Sequence, residues 1–123
     1  FKLLRDRVER ASKKGYLKGL DGRKIYIRTA HASLNSLLQG AGAVIMKKAL
    51  CLLDNYIRDN NLEAKFVANI HDEWQIEAES TKENATAVGE FGIKAIQEAG
   101  EHFALRCPLT GQYKIGEDWS ETH

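Results

Sequence analysis

The sequence predicts an α+β fold in which a small antiparallel sheet, made of hairpins, packs against two long helices. Two long segments place apolar residues at intervals of three and four, as amphipathic helices do. Two shorter segments alternate apolar and polar residues around a turn, which is typical of hairpins. The order of helix, hairpin, helix, hairpin, helix and tail indicates a single domain, residues 1–123. With 123 residues, 43% of them hydrophobic, the chain can bury one modest core.

The first hairpin follows a short helical segment. Residues 1–14 are predicted as the end of a helix that stops at Gly15. Residues 15–28 alternate as strands do, and Gly19 to Gly22 supply the turn between them.

The first long helix is predicted over residues 29–59, with Thr29 as its N-cap and Asn60 and Asn61 beyond its end. Its apolar positions step by three or four and form one continuous stripe. The stripe consists of Leu34, Leu38, Ala41, Ile45, Ala49, Leu52 and Tyr56.

The second hairpin, residues 64–79, is expected to carry the acidic pair Asp72 and Glu73 at its tip. The second long helix, residues 80–105, begins with the spacing of a capping box, Ser80 followed by an acid three residues later. Its inner face consists of Ala85, Val88, Gly92, Ala95, Ala99 and Phe103.

Three glycines in the second long helix, Gly89, Gly92 and Gly100, each lower its helix propensity by about 1 kcal/mol relative to alanine. Close packing against the sheet is the expected reason for them. The C-terminal tail, residues 106–123, is predicted to contain one short strand pair. Pro108 argues against a central strand there, because proline cannot donate a ladder hydrogen bond.

The net charge of +1 conceals an asymmetry. Residues 1–28 carry ten basic and three acidic side chains, and residues 29–123 carry eight basic and fourteen acidic ones. A basic block beside an acidic body indicates contact with a polyanion on one side only. Charge alone leaves an ordinary solvated helix face equally open, since phosphate binding requires a clustered surface.

No apolar run approaches the roughly 20 residues that a membrane span needs, so no membrane partner is expected. Cys51 and Cys107 have no metal-ligand spacing, which favours buried or idle thiols in a reducing compartment and leaves a disulfide open. The chain has no visible signal peptide and no initiator methionine. It begins inside a predicted helix, so we expect a piece of a longer protein.

Asp72 and Glu73 are the residues best suited to metal chemistry. Adjacent carboxylates at a rigid hairpin tip suit Mg²⁺, which prefers one or two carboxylates together with substrate phosphates. Two such ions can clamp the attacking and leaving oxygens of a phosphoryl displacement. His71 adds a hydrogen-bonding or proton-carrying group beside them. The alternative is a solvated acidic turn, since aspartate is common in turns.

A polar stripe marks the first long helix. Asn35 and Gln39 lie four residues apart on one face, and His31 extends the same line. Gly40 and Gly42 would let a flat object approach closely. Amide groups can hydrogen-bond the acceptors of a DNA minor groove, which are similar for all base pairs. An exposed polar face remains the alternative.

Together these segments resemble family A (Pol I-like) DNA polymerases. Residues 28–43 look like the helix that precedes motif C in that family, and Ile70-His71-Asp72-Glu73 is similar to motif C itself. Residues 18–24 resemble the hairpin that returns the chain from fingers to palm. Residues 115–119 and His123 resemble the family's C-terminus. The short connection from Arg28 to His31 resembles that of the family's bacteriophage members more than that of its bacterial repair enzymes.

The resemblance implies that the chain is part of a polymerase palm subdomain, with residues 1–14 ending a fingers-side helix. In the full-length enzyme it implies DNA template-primer, dNTP and two Mg²⁺ ions as partners. Asp72 would ligate the metals, Glu73 would support the site and His71 would contact the primer terminus. DNA contacts would come from a further set of side chains, Asn35, Gln39, His31 and Arg28.

Two elements of that family, motif A with its second catalytic aspartate and motif B with its fingers helix, do not occur in these residues. We therefore expect the isolated fragment to be inactive and to self-associate through an exposed sheet edge. The host cell cytoplasm is the expected location if the source is viral. The alternatives are a non-catalytic nucleic-acid-binding module and a metal-dependent phosphohydrolase using His71 and Asp72. A phosphohydrolase normally needs further His and Asp ligands, and His102 and His123 lie too far along the sequence to fit such a ligand pattern. A mitochondrial or bacterial repair polymerase is the alternative within the family.

Overall fold

The chain, described by a computed structural model over residues 1–123, divides into two compact units, residues 1–44 and residues 45–123. The long helix α2 (Ser33–Asp59) contributes residues to both units. The prediction that the chain forms one domain stays a prediction, and each unit is described by itself.

The first unit contains a helix, a hairpin and the start of α2. Its elements are α1 (Lys2–Ser12), β1 (Tyr16–Lys18), β2 (Lys24–Tyr26) and a 3₁₀ turn (Ala30–Ala32). Gly15, in the turn between α1 and β1, has a φ of 82° and Gly22 closes the hairpin turn with a φ of 84°, a region in which glycine avoids the steric cost of a Cβ. The two strands pair antiparallel.

The first unit buries few side chains. Val8 of α1, Leu17 of β1 and Ser33 at the start of α2 are buried. The hairpin packs on α2 where Ile25 meets Gly40, since a Cβ built on Gly40 would lie 3.2 Å from Ile25 Cδ1.

The expected N-cap role of Thr29 is wrong. Its side chain accepts no capping hydrogen bond, and a 3₁₀ turn, not α-helix, follows it. The backbone carbonyl of Thr29 instead accepts a hydrogen bond from Ser33 Oγ at 3.5 Å. Ser33 is fully buried, so this bond satisfies a hydroxyl that has no access to water.

The second unit contains a hairpin, a second long helix and the tail. Its own elements are β3 (Ala64–Ile70), β4 (Glu73–Ala78), α3 (Lys82–His102) and α4 (Trp119–Thr122). The strand pair predicted in the tail is wrong, because residues 106–118 form no strand and a short helix, α4, follows them. Side chains of the tail pack against glycines of α3, as described below.

The core of the second unit lies between the two long helices. Ala49, Leu53 and Ile57 of α2 pack with Ala95 and Ala99 of α3. Each buried leucine or isoleucine contributes roughly 1.5–3 kcal/mol. Hairpin side chains cover this cluster, namely Ala64, Trp74 and Ile76. A small antiparallel hairpin packed on two long helices confirms the predicted α+β class.

The predicted apolar stripe of α2 is partly wrong. Leu53 and Ile57 are buried, although neither belongs to the stripe, whereas Leu38 is 54% exposed. Apolar residues cover more than one face of α2. Periodicity alone therefore does not say which of two adjacent rows meets the partner helix.

The start of α3 is displaced by one residue from the predicted capping box. Thr81, not Ser80, is the N-cap, and its side chain accepts a hydrogen bond from the Asn84 backbone N–H at 3.4 Å. The Asn84 side chain then ties α3 to the residue before β3. Its Oδ1 accepts from Glu63 N at 3.3 Å and its Nδ2 donates to Glu63 O at 3.0 Å.

Two of the three glycines of α3, Gly89 and Gly100, face the C-terminal tail and not the sheet, which corrects the expected reason for them, whereas the nearest neighbour of Gly92 is on α2. A Cβ on Gly89 would lie 2.5 Å from Tyr113 Cγ, and a Cβ on Gly100 would lie 3.0 Å from Leu109 Cγ. The hydroxyl of Tyr113 donates to Glu90 Oε1 at 2.9 Å. The helix therefore carries notches that seat tail side chains.

Residues 30–59 form a helical stretch that is long and apolar enough, by length and composition alone, to cross a membrane, although the sequence has no uninterrupted apolar run of that length. Helices that belong to protein cores pass the same test, and this one supplies Ala49, Leu53 and Ile57 to the core of the second unit. Cys51 and Cys107 are free thiols on exposed residues, so of the expected alternatives, buried or idle thiols, burial does not apply to either.

Candidate functional site

A two-residue turn, His71 and Asp72, joins β3 to β4 beyond the pair formed by Ile70 and Glu73. His71 has a φ of 53°. This left-handed conformation is sparsely populated by residues other than glycine, asparagine, aspartate and histidine. The sharp reversal places Asp72 at the tip of the hairpin.

The two adjacent carboxylates have different surroundings. Asp72 is exposed, and no hydrogen bond or salt bridge within the chain engages its side chain. Glu73 is half-buried, and both of its oxygens have neighbours. Its Oε1 accepts a hydrogen bond from Gln75 Nε2, and its Oε2 lies 3.4 Å from His123 Nδ1.

The donor set at the turn fits a shared magnesium site. Mg²⁺ in phosphoryl-transfer sites takes one or two carboxylates and fills its remaining positions with water and substrate oxygens. The unengaged Asp72 supplies one such hard ligand. No group of three or more His, Cys, Asp or Glu side chains forms a metal site in the structure. The Asp72 carboxylate is thus of the kind that such a site uses, and the turn alone does not surround a metal.

The end of the tail lies against the hairpin, which the sequence did not predict. His123 contacts Glu73, and Thr122 Oγ1 donates to Gln75 Oε1 at 3.3 Å. His123 therefore lies beside the turn, a proximity that its position in the sequence did not indicate. The sequence indicated only weakly that Gln75 lies near Glu73, since residues two apart on a strand point to one face. Nothing in the sequence indicated Thr122.

The polar stripe predicted on the first long helix lies in the other compact unit. Asn35 and Gln39 are both exposed, and neither side chain forms a hydrogen bond within the chain. A Cβ on Gly42 would meet nothing within 4 Å, so open space adjoins this stretch of α2. Gly40 instead packs on Ile25 of the hairpin.

His31 and Arg28 are also exposed. His31 lies in the 3₁₀ turn before α2, where a turn takes three residues. The α-helical spacing that aligned it with Asn35 therefore does not apply. The ten basic residues among positions 1–28 are exposed, and only Arg23 forms a salt bridge, with Asp21. The remaining cations have no acidic partner in the chain.

Comparison with known proteins identifies the family. Residues 1–121 match DNA polymerase family A. The chain belongs to this family.

Bacteriophage members of the polymerase family are among the most similar relatives. The DNA-directed DNA polymerase of Enterobacteria phage T3 is 39% identical in an alignment 117 residues long that covers 90% of this chain and 16% of that protein. The DNA-directed DNA polymerase of Escherichia phage Phieco32 is 35% identical in an alignment 128 residues long that covers 98% of this chain and 20% of that protein. The chain thus spans at most a fifth of these relatives, and the predicted resemblance to the bacteriophage branch is confirmed.

A solved family A polymerase has a similar fold. The POL domain of Pol1 from M. smegmatis, in complex with DNA primer-template and dNTP, has a TM-score of 0.62 and is 30% identical. The match covers 76% of this chain and 19% of that one. The family match includes the turn at His71 and Asp72 and the helix face at Asn35 and Gln39.

Proposed function

We propose that the polypeptide containing this chain is a template-directed DNA polymerase that adds deoxynucleotides to a primer 3′ end in DNA replication. The observation that carries the proposal is the two-residue turn inside the family match, which presents an unengaged aspartate, Asp72, at a hairpin tip. Rigid strands on both sides hold that carboxylate at a defined position, as a metal ligand requires.

The proposed mechanism is phosphoryl transfer at two Mg²⁺ ions. When bound, the metal supplies positive charge that polarises the reacting phosphate and clamps attacking and leaving oxygens. Asp72 offers a ligand oxygen at the tip. Glu73, with both oxygens already engaged, acts from a more peripheral position. His71 projects from the same turn and is the candidate for contact with the primer terminus.

The proposed DNA contacts lie on the first unit. Asn35 and Gln39 offer free amide donors from one face of α2, which suits the acceptors of the minor groove without reading sequence. His31 and Arg28, with the exposed basic residues before them, are candidates for phosphate contacts. Phosphate contacts of this kind make binding depend steeply on salt.

Primer extension by the complete polypeptide, with all four dNTPs and Mg²⁺, tests the proposal. Asp72→Asn should lower the extension rate at least about 100-fold, since a catalytic metal is worth several kcal/mol of transition-state stabilisation. Affinity for primer-template, measured by fluorescence anisotropy, should stay within about twofold. A matched control, Asp59→Asn, makes the same chemical change at an exposed residue near the end of α2 and should extend primers normally.

Near-normal extension by Asp72→Asn would contradict the assignment of Asp72 as a metal ligand. If extension is absent from the unmodified polypeptide while primer-template still binds, the non-catalytic module becomes the better description.

The helix face has a separate test. Asn35→Ala and Gln39→Ala should each weaken primer-template binding about fivefold, the equivalent of one ordinary hydrogen bond. Asn55→Ala removes an amide from an exposed position farther along the same helix and should leave binding unchanged. Equal effects of all three substitutions would argue against a specific contact.

The isolated chain of 123 residues is proposed to be inactive, because the family's other catalytic aspartate and its nucleotide-binding helix are not among these residues. Extension by the isolated chain above that of its Asp72→Ala variant would contradict this proposal. The fragment is further proposed to self-associate. The hairpin β3–β4 has two unpaired edges, and Phe66, Val67 and Ile70 are exposed on it. A monomeric mass by light scattering at high concentration would oppose that idea. For a viral source, the proposed location is the host cell cytoplasm.

A further inference from the structure

We propose that Thr122 and Gln75 are positioning residues that hold the Glu73 carboxylate beside Asp72, so that the end of the C-terminal tail sets the geometry of the catalytic turn. The inference rests on the proposed polymerase function. Its observation is a chain of side-chain contacts that runs from α4 to the start of β4.

The chemistry of these contacts fixes the orientation of the Gln75 amide. The carboxylate of Glu73 can only accept hydrogen bonds, so the NH₂ group of Gln75 must face it. The amide oxygen of Gln75 then points away and lies 3.3 Å from Thr122 Oγ1, which shares its single proton between this oxygen and the Trp119 carbonyl at 3.1 Å. A flipped amide would set its oxygen against the carboxylate. Thr122 therefore stabilises the only orientation in which Gln75 can serve Glu73.

The second oxygen of Glu73 lies 3.4 Å from His123 Nδ1, an ion pair only when the imidazole is protonated. With a hydrogen bond on one oxygen and a polar neighbour beside the other, the Glu73 side chain loses rotameric freedom. Thr122, Gln75 and Glu73 are all half-buried, and partial exclusion of water strengthens hydrogen bonds of this kind. Glu73 is the first residue of β4 and directly follows Asp72, so the two carboxylates are joined by one stretch of backbone.

The tail is anchored strongly enough to act as a support. Tyr113 fills the notch at Gly89 and donates to Glu90, and Leu109 lies over Gly100. Asp118 caps α4 by accepting from the Glu121 backbone N–H at 3.3 Å. Thr122 therefore contacts Gln75 from a tail segment that is itself packed against α3.

The test compares three variants of the complete polypeptide. Thr122→Val keeps the side-chain shape and removes the hydroxyl, whereas Thr122→Ser keeps the hydroxyl. Thr110→Val makes the same change at an exposed tail residue whose side chain forms no hydrogen bond. Two quantities are measured for each, the single-turnover extension rate constant and the Kd for primer-template.

Thr122→Val should lower the rate constant about fivefold and leave Kd within about twofold, the size expected for one lost hydrogen bond. Thr122→Ser should restore the rate constant, and Thr110→Val should match the unmodified protein. A general loss of structure would move rate and Kd together and would not be rescued by serine. An unchanged rate in Thr122→Val, or a failure of serine to rescue, overturns the inference.

A second readout does not depend on activity. Hydrogen exchange of the peptide covering residues 70–78, measured by mass spectrometry without DNA or metal, should be faster in Thr122→Val than in Thr122→Ser or Thr110→Val. Equal exchange in all three overturns the inference even where no extension is seen. The two proposals fail separately. Normal extension by Asp72→Asn removes the proposed metal site, whereas an inactive Asp72→Asn with a normal Thr122→Val removes only the positioning role.

Discussion

Gly89 provides a quantitative test of how the tail is seated on α3. Replacing a glycine inside a helix by alanine ordinarily stabilises the helix by about 1 kcal/mol. At this position the new Cβ would lie 2.5 Å from Tyr113 Cγ and 2.7 Å from Tyr113 Cε2, well inside van der Waals contact. The ring must therefore leave its notch, and the expected sign of the substitution reverses.

The size of the effect follows from what Tyr113 loses. At 38% exposure the side chain hides on the order of 100 Å² from water, worth about 2.5 kcal/mol at about 25 cal/mol/Å². This is an upper bound, because the unfolded chain also hides part of that surface. The hydrogen bond to Glu90 adds roughly 0.5–1.5 kcal/mol. Set against a propensity gain of about 1 kcal/mol, the net destabilisation is about 2 kcal/mol.

The assay is urea denaturation of the 123-residue chain followed by circular dichroism. Gly92→Ala is the matched control on the same helix, because a Cβ there meets its nearest neighbour, Leu53 Cδ2, at 3.9 Å. It should raise the free energy of unfolding by about 1 kcal/mol. In a Tyr113→Ala background, Gly89→Ala should also become stabilising. If Gly89→Ala stabilises the chain in the presence of Tyr113, the seating of the tail described above is wrong.

Three further predictions concern the same unit. The hydrogen bond to Glu98, aided by burial, raises the pKa of Tyr56 from 10.0 to about 12. The stability that this hydrogen bond contributes should be complete below about pH 10 and lost as the pH rises to about 12, and Glu98→Gln should lower the Tyr56 pKa measured by ultraviolet titration. Thr81→Ala should cost about 1 kcal/mol in urea denaturation and Ser80→Ala almost nothing, the reverse of what the capping-box spacing predicts. Asn84→Ala should cost roughly 1–3 kcal/mol in the same assay, because two hydrogen bonds to the backbone before β3 are lost; a loss no larger than that of Ser80→Ala would contradict that role.

Local patterns predicted much of this fold because the signals for helices and turns lie within a few residues. The hairpin around Asp72 and the two long helices are examples. The buried row of α2, Ala49, Leu53 and Ile57, was missed in part, since a wide apolar surface does not say which row meets α3. The role of Gly89 was missed because its partner, Tyr113, is distant in sequence.

The candidate site likewise contains residues with a local sequence signal and residues without one. Asp72 could be proposed from the sequence because a short motif and a turn carry its signal. The partners of Glu73 could not, because Thr122 lies 47 residues from Gln75 along the chain. Such contacts depend on how the tail folds back over α3, which no local pattern records. His123 was judged by its spacing in the sequence, and the fold brings it to Glu73.

The left-handed backbone of His71 affects how mutagenesis of the turn should be interpreted. At a φ of 53°, most side chains cost roughly 1–2 kcal/mol, whereas asparagine is tolerated. Alanine at this position would therefore combine two effects, the loss of the imidazole and the energetic cost of placing alanine in a left-handed backbone conformation. His71→Asn removes the ring and keeps a residue suited to the bend, and His71→Gly relieves the backbone altogether. Agreement between these two variants would isolate what the imidazole itself contributes, free of any change in the shape of the loop.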